Sequence, residues 1–318
     1  MRLYSETYGD RQTSADKPTL VFLHGLLGSG RDWRLVIDQL ASQYFCLAVD
    51  LPGHGQSAHA LVGQAQAGQA QAGQIQAGQI QQGQAQALTA SGLTNVDNGD
   101  SAANVNADGF AHTAHLIMAT LQARNLRDVV LVGYSLGARV AMSLACQLAQ
   151  REAEPSLDQE RDSSSPCLVG MVLEGGHFGL PDDERAARYA NDCRWANRFV
   201  QEPMALVLSD WYQQPVFASL TAEQRQRLVQ KRSDNQGSAV AHMLLATSLA
   251  KQPFLLPQLT ECPHSVHYLC GEKDTKFTAL AARSGLAVTV IADAGHNVHV
   301  EQPLAFARAV QDYLEHIL

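Results

Sequence analysis

The chain has 318 residues, 46% of them apolar and 17% charged, enough to bury a large core as one large domain or as a core carrying an insertion. Its formal net charge of −8, with no long run of one sign, argues against non-specific binding to nucleic acid or to an acidic membrane, but not against a small anionic substrate held by local arginines. The N-terminal stretch Met1-Arg-Leu-Tyr-Ser-Glu-Thr7 lacks the apolar core of a signal peptide, and no apolar run approaches the length that spans a bilayer. Six cysteines, at 46, 146, 167, 193, 262 and 270, form no C-x-x-C pair. The expectation is a cytoplasmic protein with reduced, mostly buried cysteines and neither metal nor cofactor.

Residues 3–8 alternate loosely and predict a first strand ending at Gly9-Asp10. The apolar run Thr19–Leu23 is long enough for a buried strand and leads into a glycine-rich loop, His24-Gly-Leu-Leu-Gly-Ser-Gly30. Asp32 to Leu40 reads as a helix with Trp33, Val36, Ile37 and Leu40 on one face. Tyr44–Val49 is the next strand, ending in Asp50-Leu-Pro-Gly-His-Gly-Gln-Ser57, where Asp50 is expected to fix the loop rather than do chemistry.

Residues 59–108 break this rhythm. Gly-Gln-x-Gln-x occurs five times in register from Gly63 to Ala87, with Ile75 and Ile80 as its only large apolar side chains. Such a composition buries too little apolar surface to offset its ordering entropy, so the segment reads as a disordered surface insertion without a catalytic role. Helical spacing resumes over Phe110–Leu126, with His112 and His115 on its flanks as solvated or packed residues. A strand at 129–133, a turn and a helix at 136–150 follow, and then a second polar insertion at 151–166. Cys167–Leu173 is a strand ending in Glu174-Gly-Gly-His177. The chain then turns helical and basic-polar, which predicts a cap over 181–256 between core segments 1–180 and 257–318. Ser265–Cys270 and Leu286–Ile291 are the last strands, and Pro303 opens an amphipathic terminal helix with Phe306, Val310 and Leu314 at suitable spacing.

The stretch Val129-Val-Leu-Val-Gly-Tyr-Ser-Leu-Gly-Ala-Arg-Val-Ala-Met142 organises the whole. An apolar run, a Gly-x-Ser-x-Gly turn and a helix-forming run make a nucleophile elbow, which pushes the serine hydroxyl clear of the sheet. Ser135, Asp274 and His296 each follow a predicted strand, and this chain order is that of the α/β-hydrolase fold. The fold class is therefore α/β: a mostly parallel central sheet flanked by helices, with a helical cap and two polar insertions. Loops at strand ends meet at one edge of such a sheet. There His296 would accept the Ser135 proton, Asp274 would hold the imidazole tautomer, and the backbone amides of Leu26 and Leu136 would form an oxyanion hole. Arg139, four residues beyond Ser135 on the following helix, can face the same pocket. Spacing alone leaves open a hydrolase, such as an esterase or carbon–carbon bond hydrolase, and a non-catalytic binding protein.

Four runs narrow the choice. Gly133–Met142, Glu174-Gly-Gly-His177, Asp210-Trp-Tyr-Gln-Gln-Pro-Val-Phe217 and Cys270-Gly-Glu-Lys-Asp274 resemble the 2-succinyl-6-hydroxy-2,4-cyclohexadiene-1-carboxylate synthase family of menaquinone biosynthesis. The cap run 210–217 is the most specific of them. The family elbow has two glycines before its arginine, and here Ala138 replaces the second. The resemblance implies a lyase that eliminates pyruvate from 2-succinyl-5-enolpyruvyl-6-hydroxy-3-cyclohexene-1-carboxylate. It also implies that Tyr134, Arg139, Arg188, Trp211, Phe217 and Arg232 bind this small tricarboxylate. Arginine suits two-pronged carboxylate recognition.

Overall fold

The computed structural model describes residues 1–12, 14–60, 109–153 and 165–318. The Gly-Gln repeat lies outside the described residues, as do the two polar insertions apart from their edges. Seven strands form one sheet: β1 (Ser5–Tyr8), β2 (Thr19–Leu23), β3 (Cys46–Val49), β4 (Asp128–Tyr134), β5 (Cys167–Glu174), β6 (Ser265–Gly271) and β7 (Ala287–Ile291). Their order is β1-β3-β2-β4-β5-β6-β7, with β1 antiparallel to β3 and every other pairing parallel. The helices are α1 (Arg34–Leu40), α2 (Gly109–Ala123), α3 (Leu136–Ala153), α4 (Asp182–Gln201), α5 (Met204–Trp211), α6 (Ala222–Arg232), α7 (Gly237–Ala246), α8 (Leu256–Thr260), α9 (Thr275–Ala282), α10 (Val298–Glu301) and α11 (Pro303–Ile317). The chain belongs by architecture to the α/β class expected from its alternating pattern.

Strand periodicity divides the core. Val21 and Leu23 of β2 and Val129 and Leu131 of β4 pack on one sheet face with Leu116, Ile117, Val140 and Leu144 of α2 and α3. Leu20, Phe22, Val130 and Val132, one residue out of step, pack on the other face with Val36, Ile37, Phe306 and Val310 of α1 and α11. A sheet covered on both faces needs such continuous apolar strands, and each buried aliphatic side chain contributes roughly 1.5–3 kcal/mol. A third apolar cluster, including Phe199, Val207, Leu208, Leu228 and Val240, belongs to helices α4–α7 and reaches the core at Leu27. The 181–256 stretch thus contains no strand and has its own packing centre.

Element ends differ from the sequence expectation for local reasons. The helix expected from Asp32 begins as a 3-10 turn, Gly30–Trp33, because the Asp32 carboxylate turns back to accept the Ser29 N–H at 3.0 Å. The helix expected to reach Leu126 stops at Ala123. Asn125 adopts a left-handed backbone (φ 51°), and the Leu126 N–H bonds back to the Leu121 carbonyl at 3.1 Å. His112 is half-buried and His115 exposed. Of the six cysteines only Cys46 and Cys270 are buried, which corrects the expectation that most would be. Cys167 opens β5 at the exposed margin of the sheet. Among the described residues no helix is long and apolar enough to cross a membrane, and no His, Cys, Asp or Glu group is arranged to hold a metal ion.

Two loops after β2 and β3 are locked together by buried side chains. His24 donates from Nδ1 to the Gly25 carbonyl (2.7 Å) and accepts the Leu51 N–H at Nε2 (2.9 Å). His54 mirrors it, donating to the Pro52 carbonyl (2.9 Å) and accepting the Leu27 N–H (2.9 Å). Asp50 accepts from the Gly30 and Gln56 amides at 2.7 and 2.8 Å, the loop-fixing role expected of it. Burial lowers the His24 pKa to about 4, and burial with the neighbouring His24 lowers that of His54 to about 3. Both rings are neutral acceptors for a loop amide, which protonation would abolish.

The consequence for stability has a definite sign. Below about pH 6.5 the unfolded chain binds protons at both histidines, whereas the folded chain stays neutral until near pH 4. Stability contributed by the two rings is complete above pH 6.5 and falls as the pH drops toward the folded values. The urea midpoint should therefore decline from pH 7 to pH 5. His54→Gln should flatten that decline while lowering the midpoint at neutral pH. A midpoint independent of pH in this window would contradict the assignment.

Candidate active site

The turn between β4 and α3 carries Ser135 in a left-handed conformation, φ 48°, uncommon for a residue with a side chain. The turn packs too tightly for anything but glycine at its flanks. A Cβ on Gly137 would lie 2.1 Å from the Leu23 carbonyl oxygen, and one on Gly133 would lie 2.6 Å from that of Gly137. The Ser135 N–H donates to the Glu174 carbonyl at 2.8 Å, tying the turn to the end of β5. The adjoining amides of Leu26 and Leu136 make no hydrogen bond to a described backbone group beyond their own elements.

Two further strand ends deliver Asp274 and His296. Asp274 follows β6 and caps α9 through the Phe277 amide at 3.3 Å. Its other oxygen accepts from His296 Nδ1 at 2.7 Å, and both residues are buried. Holding Nδ1–H in this way leaves Nε2 as the acceptor. The imidazole lies against Phe277 (4.7 Å between centroids) and Tyr134 (5.3 Å). Gly175 sits beside it with φ 57°, where a Cβ would come within 2.8 Å of His296 Cε1. Ser135 and His296 line the same cavity of about 430 Å³ but are not hydrogen-bonded to each other. Such contacts are often long in ligand-free sites and tighten when substrate enters.

That cavity also takes in Arg139, Arg188, Trp211, Phe217 and Asp274 from the expected set. Arg139 is half-buried and donates from Nη1 to the Thr247 carbonyl at 2.8 Å. Burial, then the neighbouring Arg188 charge, lowers its pKa to about 9, which leaves it charged at neutral pH. Arg188 is gripped at Nε by buried Asp192 (2.9 Å), whose second oxygen accepts from the Ser248 hydroxyl at 2.7 Å. Both guanidinium groups are thus pinned on one edge and keep other N–H donors free for an anion.

Other expected residues fall elsewhere. Tyr134 and Leu26 line a separate, much smaller cavity, shared with Trp211 and Phe217, and Leu136 is buried at the start of α3. Arg232 does not line the Ser135 cavity. It is buried, and its Nη2 lies 2.5 Å from Asp32 Oδ2, while Lys231 takes the other oxygen at 2.8 Å. Burial alone would raise the Asp32 pKa, but the Arg232 and Lys231 charges overcome it and hold the carboxyl well below its usual range. Arg232 lines instead the smaller cavity, with Leu26, Tyr134, Trp211 and Phe217, and its pairing with Asp32 fixes the guanidinium there.

Sequence reasoning singled out the run Glu174-Gly-Gly-His177 without giving its residues a role, and missed Asp192, Lys276 and His299. His177 lines the cavity and accepts the Gly179 N–H at Nδ1 (3.2 Å), so its proton sits on Nε2. Burial, then the charges of Lys276, Arg139 and Arg188, lowers its pKa to about 4. Glu174, fully buried, receives His299 Nδ1–H at 2.8 and 2.9 Å and the His299 amide at 3.1 Å. His299 in turn stacks on Trp33 at 4.2 Å and packs on Tyr134 at 4.7 Å. Glu174 therefore serves the turn with its carbonyl and the core with its carboxylate. Removing one partner of a buried pair strands the other, at a cost of about 3–5 kcal/mol. His299→Ala should lower unfolding stability by that order in urea denaturation. The double replacement Glu174→Leu/His299→Leu should be less damaging than the single one. A single variant with wild-type stability would show the pair to be dispensable.

Comparison with known proteins agrees with this architecture. Residues 20–309 match the model of the alpha/beta hydrolase family. The chain is 41% identical over 298 residues to the 2-succinyl-6-hydroxy-2,4-cyclohexadiene-1-carboxylate synthase of Yersinia pseudotuberculosis serotype O:3, covering 93% of this chain and 87% of the relative. The synthase of that name from Yersinia pestis matches to the same extent. Among solved structures, MenH from S. aureus aligns with a TM-score of 0.71 at 21% identity, over 99% of this chain and 98% of the other. A thermophilic esterase from Thermogutta terrifontis aligns at 0.66 and 18% identity, over 99% and 93%, a likeness of fold alone. With this identity over nearly its whole length, the chain belongs to the 2-succinyl-6-hydroxy-2,4-cyclohexadiene-1-carboxylate synthases of the alpha/beta hydrolase family.

Proposed function

We propose that this chain is a carbon–oxygen lyase that eliminates pyruvate from 2-succinyl-5-enolpyruvyl-6-hydroxy-3-cyclohexene-1-carboxylate in menaquinone biosynthesis. The observation that carries the reading is a single cavity holding Ser135 and the Asp274–His296 pair together with two half-buried arginines. A purely apolar ester needs no such arginines, whereas a tricarboxylate does. The partner is a small polyanion rather than nucleic acid or a membrane, the protein works in the cytoplasm, and no cofactor enters.

In this mechanism Ser135 relays the proton lost beside the succinyl carbonyl to His296 Nε2. Asp274 holds the ring by its Nδ1–H and stabilises the imidazolium that forms. Negative charge moves onto the succinyl oxygen, where the Leu26 and Leu136 amides receive it. The enolate then collapses, the ring–oxygen bond breaks and the leaving group departs as pyruvate enolate, which takes the proton from the His296 imidazolium to become pyruvate, with no acyl-enzyme and no water consumed. Arg139 and Arg188 hold substrate carboxylates, and Tyr134, Trp211 and Phe217 shape the surrounding apolar surface. Arg232, held by Asp32 in the smaller cavity beside Leu26 and Tyr134, supplies positive charge on that side of the site.

The direct test is pyruvate release from freshly prepared enolpyruvyl substrate. Ser135→Ala should remove most activity without loss of fold, and near-wild-type release by that variant would remove Ser135 from the mechanism. Arg139→Ala should lower kcat/KM about ten- to a hundredfold, the equivalent of roughly 1.5–3 kcal/mol for a lost charge-assisted contact. Its stability should fall by about 1 kcal/mol, since the Thr247 carbonyl loses its donor. Arg139→Lys should rescue only in part. Normal kinetics with a large loss of stability would make Arg139 a structural residue instead.

A further inference from the structure

Lys276 has no part in the steps above. It follows Asp274 by two residues in the first turn of α9 and lines the cavity beside Ser135, His177, Arg139 and Arg188. Four cationic side chains line this cavity, and three are tied by their neighbours. Arg139 donates to the Thr247 carbonyl, Arg188 to Asp192, and Lys273 pairs with Asp293 at 3.2 Å. No ion pair or hydrogen bond links Lys276 to a described residue. The carboxylates that act on its charge are Asp274, already bonded to His296, and exposed Glu184. Its ammonium lies 5.7 Å from the ring centroid of Phe277, and that ring packs on His296. This puts the positive charge close to the base.

The charges bear on one another. Lys276 is exposed at the cavity wall, where desolvation by its neighbours, then Arg188, lowers its pKa, and desolvation, then the charges of Lys276 and the two arginines, keeps His177 neutral. Like charges gathered at one side of a cavity repel until an anion joins them. His177, with its Nδ1 occupied by the Gly179 amide, has only Nε2–H left to offer, and a hydrogen bond from a neutral ring suits the same anion.

We infer that Lys276 is a specificity-determining residue: its ammonium, with the Nε2–H of His177 nearby, receives one carboxylate of the substrate next to the Asp274–His296 pair. The inference rests on the lyase reading for the identity of the anion, a tricarboxylate. A ligand that lacks the carboxylate facing Lys276 leaves its charge uncompensated, and that is how the residue discriminates.

The test uses two variants of the full chain, Lys276→Met, which keeps the stem, and Lys276→Arg, which keeps the charge. Lys276→Met should raise KM for the enolpyruvyl substrate about tenfold with a smaller change in kcat, as for lost uniform binding. Lys276→Arg should retain most of the affinity. Melting temperature should not fall, because no ion pair or hydrogen bond to a described residue is lost and a charge that repels Arg188 is removed. Calorimetric titration supplies a readout without turnover, using 2-succinylbenzoate, an aromatic ketodicarboxylate with succinyl and ring carboxylate groups, and separately pyruvate. A roughly tenfold weaker Kd in Lys276→Met for either probe supports the inference and tells which carboxylate Lys276 holds. Unchanged KM and unchanged Kd for both probes would overturn it while leaving the lyase reading intact. Wild-type protein that binds 2-succinylbenzoate in a Lys276-dependent way but releases no pyruvate would instead overturn the lyase reading alone.

Discussion

The left-handed turn at Ser135 is the constraint on which the rest of the site depends. It exists because β2, β4 and β5 end side by side. Gly137 is pressed against the Leu23 carbonyl, and the Ser135 amide is bonded to Glu174. A strained φ persists only where its surroundings over-determine it. Here they do so through the parallel ladder, buried on both faces, and through the Glu174–His299 pair under the turn. The same strand ends deliver Asp274 after β6 and His296 after β7, so one sheet edge fixes all three groups. Local strain and global topology are two aspects of one arrangement.

Much of this was legible in the sequence, for an identifiable reason. Ser135, Asp274 and His296 each lie at the end of an apolar run beside a glycine, a signal that short-range chemistry writes into a few residues. The sheet could be read the same way, since strands buried on both faces are uninterrupted apolar runs. Boundaries slipped where a side chain competed with the backbone, as Asp32 did at the start of α1 and Asn125 at the end of α2. What could not be read were pairings across long stretches of chain. Glu174 meets His299 across 125 residues, and Asp32 meets Arg232 across 200. Residue type marked Arg232 as an anion binder but gave no sign of its pairing with Asp32. Asp192 was similarly invisible, because its task is to hold Arg188 rather than to touch a ligand.

Charge distribution links fold to chemistry. The chain carries a net charge of −8, yet the cavity beside Ser135 is lined by Arg139, Arg188, Lys273 and Lys276 against only Asp192 and Asp274. Each of those carboxylates is spoken for, Asp192 by Arg188 and Asp274 by His296. The cavity is therefore a local positive region in an acidic protein, enclosed by low-dielectric walls such as Trp195, Trp211 and Phe217 that strengthen its field. Such an arrangement attracts an anion before contact and strengthens its hold once water is displaced. It also favours the chemistry proposed here. A proton leaving a carbon beside a carbonyl generates negative charge, and neighbouring fixed cations stabilise that charge without having to reorganise. The neutral His177 fits this environment, because a ring that stayed uncharged among three cations can donate a hydrogen bond without adding to their repulsion. Binding selectivity and stabilisation of the developing charge thus draw on the same residues.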